Sequence, residues 1–286
     1  MINALTFDVE EYFHAEAFAG VVDPRDWATL ESRVVGATER ILMLLEEARV
    51  AATFFVLGWV ADRYPSLVRA IGRGGHEVAS HGYGHQMITR LSRSEFAEDI
   101  RRGKGAVEDA TGTAVIGYRA PTFSVVRETL WSLDILAEAG FRYDSSIFPI
   151  VHDRYGIPDA PRFPHQRPVG DGSAIGEFPL STVAAGRWRV PVAGGGYFRL
   201  LPYALTRRAL RYLNETERQP GIVYLHPWEL DTGQPRLPVG RLTQFRHSVN
   251  TRGAESKLRR LVRDFRFGPV RDVLAGSGLL LTRGAA

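Results

Sequence analysis

Three short segments, far apart in the chain, carry carboxylates and imidazoles of the kind that hold a water-activating divalent cation. They are Asp8-Val9-Glu10-Glu11 near the start, His81-Gly82-Tyr83-Gly84-His85 further in, and Leu225-His226-Pro227 toward the end. Both residue types are ordinary ligands of Zn²⁺ and related ions, and both can move protons. The chain has no cysteine, which excludes disulfides, thiolate metal sites and a cysteine nucleophile. Any metal must therefore be held by nitrogen and oxygen.

Each segment closes an apolar, strand-like run. Side chains alternate along a strand, so Asp8 and Glu10 are expected on one side and Val9 on the other. Two carboxylates converging on one site can divide the work, one binding metal and one accepting a proton. His81 and His85, four apart, reach the same side of a single turn, and Gly82 and Gly84 argue for a tight loop rather than a regular helix. His226, followed by the strand-ending Pro227, is placed to donate a proton to a leaving amine. Arg119 in Tyr118-Arg119-Ala120-Pro121 is placed to pair with a carboxylate, and Asp144 in Tyr143-Asp144-Ser145-Ser146 is a further strand-end acid. Taken singly, each has a structural alternative: a loop-capping Asp8, solvated Glu10 and Glu11, a hydrogen-bonded core His226. Their repetition at strand ends points to one site.

The elements that must position them alternate between strand and helix. Strands are predicted at residues 2–7, 52–57, 77–80, 115–119, 142–144, 175–178 and 222–226. Helices are predicted at 34–47, at 93–110 (opened by a Ser92/Glu95 capping box), at 128–139 (ended by Gly140), at 205–216 and at 255–265. Seven βα-like units without repeats favour a single α/β barrel over a doubly wound sheet. Gly194-Gly195-Gly196 lacks the lysine and spacing of a phosphate loop and is expected to be a turn. Residues 150–172, rich in Pro, Gly, Asp and His, form a long loop or insertion. With the strand before it, this segment carries Phe148, His152, Tyr155, Phe163 and His165, a mixture suited to forming one wall of a groove over the barrel mouth.

Composition sets outer bounds. The 286 residues are 44% hydrophobic and 24% charged, as expected of a soluble globular chain with an ample core. No apolar run is long enough for a transmembrane helix, and the N-terminus has no signal-peptide pattern, so a cytoplasmic protein, at most peripheral to the inner membrane face, is expected. The net charge of +4 comes almost wholly from arginine. The basic run from Arg252 to Arg271 lacks aromatic platforms or a binding motif, so a solvated helix face is expected and a nucleic-acid partner is not.

In order, Thr6-Phe7-Asp8, His81 with His85, Arg119 with Pro121, Tyr143-Asp144-Ser145-Ser146 and the strand ending at His226 resemble the polysaccharide deacetylase family, also called the NodB-homology or carbohydrate esterase 4 family. The tail, with Phe245-Arg246-His247 and Phe265-Arg266-Phe267-Gly268-Pro269, is similar to the branch found with bacterial exopolysaccharide and exosortase gene clusters. The resemblance implies a distorted seven-unit (β/α) TIM-like barrel in one domain over residues 1–286, with a family-specific C-terminal extension from about residue 230. It also implies a hydrolase that removes N-acetyl groups from N-acetylhexosamine units of a polysaccharide or its lipid-linked precursor. Asp8 would then be the general base, Arg119 its orienting partner and His226 the general acid, supported by Asp144 or Glu229. His81, His85 and Glu10, with Glu11 as the fallback, would bind one divalent ion, Zn²⁺ first and Co²⁺, Ni²⁺ or Mn²⁺ after it. Tyr83, Pro121, Tyr224 and Leu225 would line the substrate site. Three features depart from the family pattern: Val9 interrupts the usual acid pair, Gly82 follows the first histidine, and Tyr224 stands where a leucine usually lines the acetyl pocket. Two other classes fit the same residues, a metal-dependent amidase on a small cyclic amide or imide and a non-catalytic glycan-binding protein.

Overall fold

The computed structural model describes residues 1–170, 172–186, 188–192 and 194–280. Its frame is a curled sheet in which seven parallel strands follow the order β10-β1-β2-β3-β4-β5-β7, with β6 antiparallel on the far edge. The strands are β1 (Asn3–Val9), β2 (Thr53–Val56), β3 (Glu77–Ser80), β4 (Gly117–Tyr118), β5 (Tyr143–Asp144), β6 (His165–Pro168), β7 (Ala174–Glu177), the hairpin β8 (Thr182–Ala185) and β9 (Trp188–Pro191), β10 (Ile222–Leu225) and β11 (Phe267–Gly268). The seven parallel strands are the seven expected from the sequence. No ladder joins β7 to β10 among the described residues, but the Ile222 N–H donates to Ser181 Oγ at 2.7 Å across that gap. This is the distorted seven-unit barrel that the resemblance implied, left open between β7 and β10.

Helices cover the outside: α1 (Val34–Ala48), α2 (Gly58–Arg63), α3 (Pro65–Arg73), α4 (Arg93–Thr111), α5 (Ser132–Glu138), α6 (Gly195–Leu200), α7 (Tyr203–Arg211), α8 (Arg241–Ser248), α9 (Thr251–Asp264) and α10 (Val270–Gly276). The Ser92/Glu95 capping box opens α4 as expected. Two expected helices are shorter or broken. The 128–139 segment splits into a 3₁₀ turn and α5, and 205–216 runs through α7 into a π turn. None of the described helices is long and apolar enough to cross a membrane.

Strand alternation divides the core. Leu5, Phe7 and Val9 of β1, Phe54 and Val56 of β2, and Val223 and Leu225 of β10 pack outward with the helices. Ala4, Phe55, Ala79, Tyr143, Ile222 and Tyr224 form a second cluster on the opposite side, inside the barrel. Asp8 shares the parity of Ala4 and therefore faces the interior at the C-terminal end of its strand.

The C-terminal extension is part of the same body. α9 buries Ala254, Leu258 and Leu261, β11 pairs with β1, and the Val270 N–H donates to Thr53 Oγ1 at 2.8 Å. Its basic face is exposed and partly neutralised: Arg259 pairs with Glu47 and Glu255, and Arg260 lies over the Tyr203 ring. The glycine run at 194–196 is not a free turn. Gly194, at φ 143°, bridges Tyr224 of β10, and a Cβ there would meet the Tyr224 carbonyl oxygen at 1.9 Å. Only glycine permits that approach.

The long loop also departs from expectation, because its end forms β6 and several of its aromatics face the core. Phe148 is fully buried, Phe163 packs against the main core, and His165 Nδ1 lies 3.0 Å from the Phe163 carbonyl. Tyr155 packs toward the Tyr224 side of the barrel. It stacks on His152 at 3.8 Å and meets Phe123 edge-on at 5.8 Å, and Phe123 in turn packs on Tyr224.

Glu11 is the clearest reassignment. Its carboxylate accepts the Arg33 N–H at 2.9 Å, the Val34 N–H at 3.2 Å and the Ser32 hydroxyl, satisfying the open donors at the start of α1. A carboxylate spent in this way is not available as the fallback metal ligand. Glu11→Gln is expected to lower unfolding stability by about 1–2 kcal/mol while leaving metal content unchanged, measured by denaturant titration and elemental analysis. A loss of metal in that variant would return Glu11 to the ligand set.

Candidate active site

The mouth at the C-terminal ends of the parallel strands gathers the residues singled out from the sequence. Glu10 follows β1 directly, His81 follows β3, and His85 sits four residues on at φ 48°, a left-handed conformation that turns the loop back. Glu10, His81 and His85 each offer one ligand atom, and these atoms lie within 4.8 Å of one another. Glu10 Oε2 is buried, 2.5 Å from His85 Nε2 and 3.9 Å from His81 Nε2. His81 Nδ1 lies 2.8 Å from the Arg119 carbonyl, so it carries the proton and leaves the Nε2 lone pair facing Glu10. Burial, with His85 nearby, lowers His81 to about 4, so the ring is neutral at ordinary pH. Burial alone would raise Glu10, but His85, His226 and His81 together hold it well below the usual carboxylate range. One carboxylate and two imidazoles, each turning a ligand atom into the same small space, are a donor set that fits a divalent ion.

Beside this trio, Arg119 is fully buried and donates from Nη1 to Asp8 Oδ1 at 2.7 Å and to Thr6 Oγ1 at 2.8 Å. Its other nitrogens are fixed by the Ser145 carbonyl and hydroxyl, both at 2.9 Å. Asp8 Oδ1 is thus occupied and Oδ2 is free, 3.8 Å from His226 Nε2. Glu10 Oε1 lies the same 3.8 Å from that nitrogen, so the two carboxylates do face one way, as the alternation required.

On the opposite flank, His226 Nδ1 lies 3.3 Å from Glu229 Oε2, and Arg199 Nε donates to Glu229 Oε1 at 2.7 Å. Burial works against the imidazolium, but Glu229, Glu10 and Asp8 outweigh it and raise His226 to about 9. Burial likewise opposes the Glu229 charge, and Arg199 with His226 brings it down to about 2. Glu229 is therefore the acid at His226. Asp144 is not: its oxygens accept from the Ser146 hydroxyl and N–H, and the Glu177 side chain lies against it inside the barrel. Ser146 in turn accepts the Ala120 N–H at 2.7 Å, so Asp144 steadies the turn after Arg119.

Of the expected lining residues, Tyr224 is in place, its ring edge-on to His226 at 5.9 Å. Leu225 is not, because strand parity sends it outward into the helix-side core. Pro121 opens the turn that carries Phe123 onto Tyr224. Tyr83 turns away from the histidines: its hydroxyl donates to Asp62 at 3.0 Å and accepts from Arg102 at 2.5 Å.

Sequence reasoning missed Trp228, His247 and Arg199. Trp228 stacks on His226 at 4.8 Å and donates from Nε1 to Glu10 Oε1 at 3.1 Å, tying the acid flank to the trio. His247 stacks on the other face of Trp228 at 4.4 Å. The run Pro227-Trp228-Glu229 directly after His226 was a usable signal for two of the site's partners. Arg199 had none, since α6 carries it in from a separate segment.

Comparison with known proteins adds a family to this geometry. Residues 4–143 match the family model described as polysaccharide deacetylase, and residues 145–275 match one described as a domain of unknown function, DUF3473. Over residues 4–143 the chain belongs to the polysaccharide deacetylase family. A Mycobacterium smegmatis crystal structure of a protein named for the same family superposes over 100% of this chain and 93% of its own, at 25% identity and a TM-score of 0.65. The peptidoglycan deacetylase PdaC of Bacillus subtilis shares the fold, with a TM-score of 0.52 at 15% identity over 97% of this chain and 91% of its own. Among curated relatives, the peptidoglycan-N-acetylglucosamine deacetylase of Bacillus cereus is 25% identical over 57% of this chain and 62% of its own length. A chitooligosaccharide deacetylase of a Bradyrhizobium strain is 30% identical over 35% of this chain and 43% of its own length. The chain thus spans less than two thirds of either curated relative.

Proposed function

We propose that this polysaccharide deacetylase is a metal-dependent hydrolase that removes N-acetyl groups from N-acetylhexosamine units of a bacterial polysaccharide or its lipid-linked precursor. The observation that carries the reading is the convergence at one mouth of the Glu10–His81–His85 trio, the Asp8–Arg119 pair and the His226–Glu229–Arg199 chain. The named activities of the relatives, on peptidoglycan and chitooligosaccharides, support the substrate class.

Glu10, His81 and His85 would hold one divalent ion, Zn²⁺ first among those that suit N and O ligands. When bound, that ion supplies Lewis acidity to the attacking water and to the acetamide carbonyl. Arg119 pins Asp8 through Oδ1, so Oδ2 is the atom that takes the proton from water. His226 Nε2–H, charged through Glu229, gives its proton to the departing amine as the carbon–nitrogen bond breaks. Tyr224 and Phe123, backed by Tyr155, form the apolar side on which the acetyl methyl rests.

Substrate choice is tested by measuring acetate release from a panel of peptidoglycan fragments, chitooligosaccharides and N-acetylated exopolysaccharide, with small cyclic imides as the contrast. Turnover confined to the imides would replace the glycan reading.

The acid assignment makes a separate prediction. A histidine whose pKa is raised stays protonated below that value, so activity should fall as pH rises through it. A cation on Glu10 removes part of the negative field, so this basic limb is expected below about 9 in the loaded enzyme. Glu229→Gln takes away the neighbouring charge and should move the limb down by about one pH unit or more, read from kcat/KM against pH. An unmoved limb would take His226 out of the acid role.

A further inference from the structure

The end of the barrel opposite the mouth holds a cavity of about 440 Å³ that the reaction above does not use. It lies where β3 and β4 begin, between the ends of α3 and α4 and the first turn of α10. From His76 at its wall to His81 at the metal trio is the whole length of β3, roughly 16 Å. We infer that this cavity is an anion site that takes a ligand presenting phosphate or diphosphate. The inference is independent of the deacetylase reading and adds a second binding site on the far side of the fold.

The lining decides the sign of the ligand. Arg69, Arg73 and Arg271 all border the cavity, and among the described residues no carboxylate does. The Arg73 side chain has no hydrogen bond or ion pair among the described residues. Arg69 spends one contact, from Nη2 at 3.2 Å, on the Ser66 hydroxyl. Arg271 has Asp272 3.5 Å from its Nε, which leaves its two terminal nitrogens for a ligand. A guanidinium grips phosphate oxygens through paired, parallel N–H bonds and keeps its charge at any working pH. Three of them around one space favour a multiply charged oxyanion over a sugar or an amine.

His76 adds a donor that the fold leaves unspent. It shares the outward parity of Val78, meets the Phe54 ring at 5.0 Å and is only 8% exposed. Its Nδ1 accepts the Ala52 N–H at 3.2 Å, so the ring proton sits on Nε2, which has no partner among the described residues. Gly74 keeps that edge of the ring uncovered. Its φ of −71° suits any residue, yet a Cβ there would lie 3.1 Å from His76 Cδ2 and 3.2 Å from Nε2. The ring also borders an adjoining space of about 600 Å³, to which Arg49 and Glu46 contribute. Glu46 is the single carboxylate on either space, against four arginines, so the field at this end stays positive.

Glu77, next along β3, does not neutralise the site. Its register with Thr53 gives it the inward parity of Phe55 and Ala79. There it accepts the Thr53 hydroxyl at 2.6 Å and the Arg271 N–H at 3.1 Å. The second bond ties the start of α10 to β3 and so sets Arg271 at the cavity rim.

The test is calorimetric titration of the whole protein, as purified, with inorganic pyrophosphate, and with tricarballylate as a carboxylate contrast. Wild type should bind pyrophosphate more tightly than tricarballylate, and Arg69→Gln with Arg73→Gln should weaken that binding at least tenfold. Arg211→Gln with Arg252→Gln removes as much charge from exposed positions on α7 and α9 and should bind as wild type does. Acetate release should be unchanged in both double variants, and pyrophosphate held at the metal trio would not respond to either. Sedimentation with phosphatidic acid vesicles separates the sources. Vesicle binding that needs Arg69 and Arg73 assigns the phosphate to a lipid headgroup, and pyrophosphate binding alone assigns it to a soluble ligand. Wild type that takes up neither probe, or a loss that is equal in the two double variants or absent from both, would overturn the site. Tighter binding of tricarballylate would overturn the choice of phosphate.

Discussion

His81→Ala is expected to purify without stoichiometric divalent metal and to release no measurable acetate. The imidazole supplies one of three ligand atoms gathered within 4.8 Å, and its Nδ1–H bond to the Arg119 carbonyl sets the direction of that atom. Alanine removes the ligand and leaves the buried Glu10 Oε2 and His85 facing a vacancy. Metal content by elemental analysis is the direct readout, with circular dichroism showing that the barrel persists. Normal stoichiometry in this variant would move the metal elsewhere.

Asp8→Asn separates chemistry from binding. The amide keeps an oxygen for Arg119, which also retains Thr6 and Ser145, so the fold and the metal should survive. An amide cannot accept a proton from water, and kcat is expected to drop by roughly 10²–10⁴-fold with full metal occupancy. Single-turnover acetate release on metal-replete protein checks it. Near-wild-type turnover would pass the base role to another group, with Glu10 the nearest.

How much of this was legible in the sequence depended on range. Periodicity and strand ends found the seven strands that line the barrel but not the short β11 beside β1, because apolar runs bounded by Gly, Pro and polar residues are a local signal. The same local logic placed Asp8, Glu10, His81, His85, Arg119 and His226 at one mouth, since parallel strands present their C-terminal ends together. It failed where partners come from distant segments. Asp144 looked equivalent to Glu229 as a strand-end acid, but β5 delivers it to Ser146 and Glu177, while the turn after His226 folds Glu229 back onto Nδ1. Leu225 was misplaced by ignoring the parity that had served Asp8 so well. Glu11 could not be separated from Glu10 by type, only by the helix start that it caps.

The central claim is that a metal held by Glu10, His81 and His85 drives N-deacetylation of a glycan. Acetate release from N-acetylated chitooligosaccharides and peptidoglycan fragments, by protein as purified, after chelation and after Zn²⁺ return, tests it most directly. The account predicts acetate in the first case, none in the second and recovery in the third. Undiminished release from chelated, metal-free protein would contradict it, as would no release from any N-acetylated glycan by metal-replete protein.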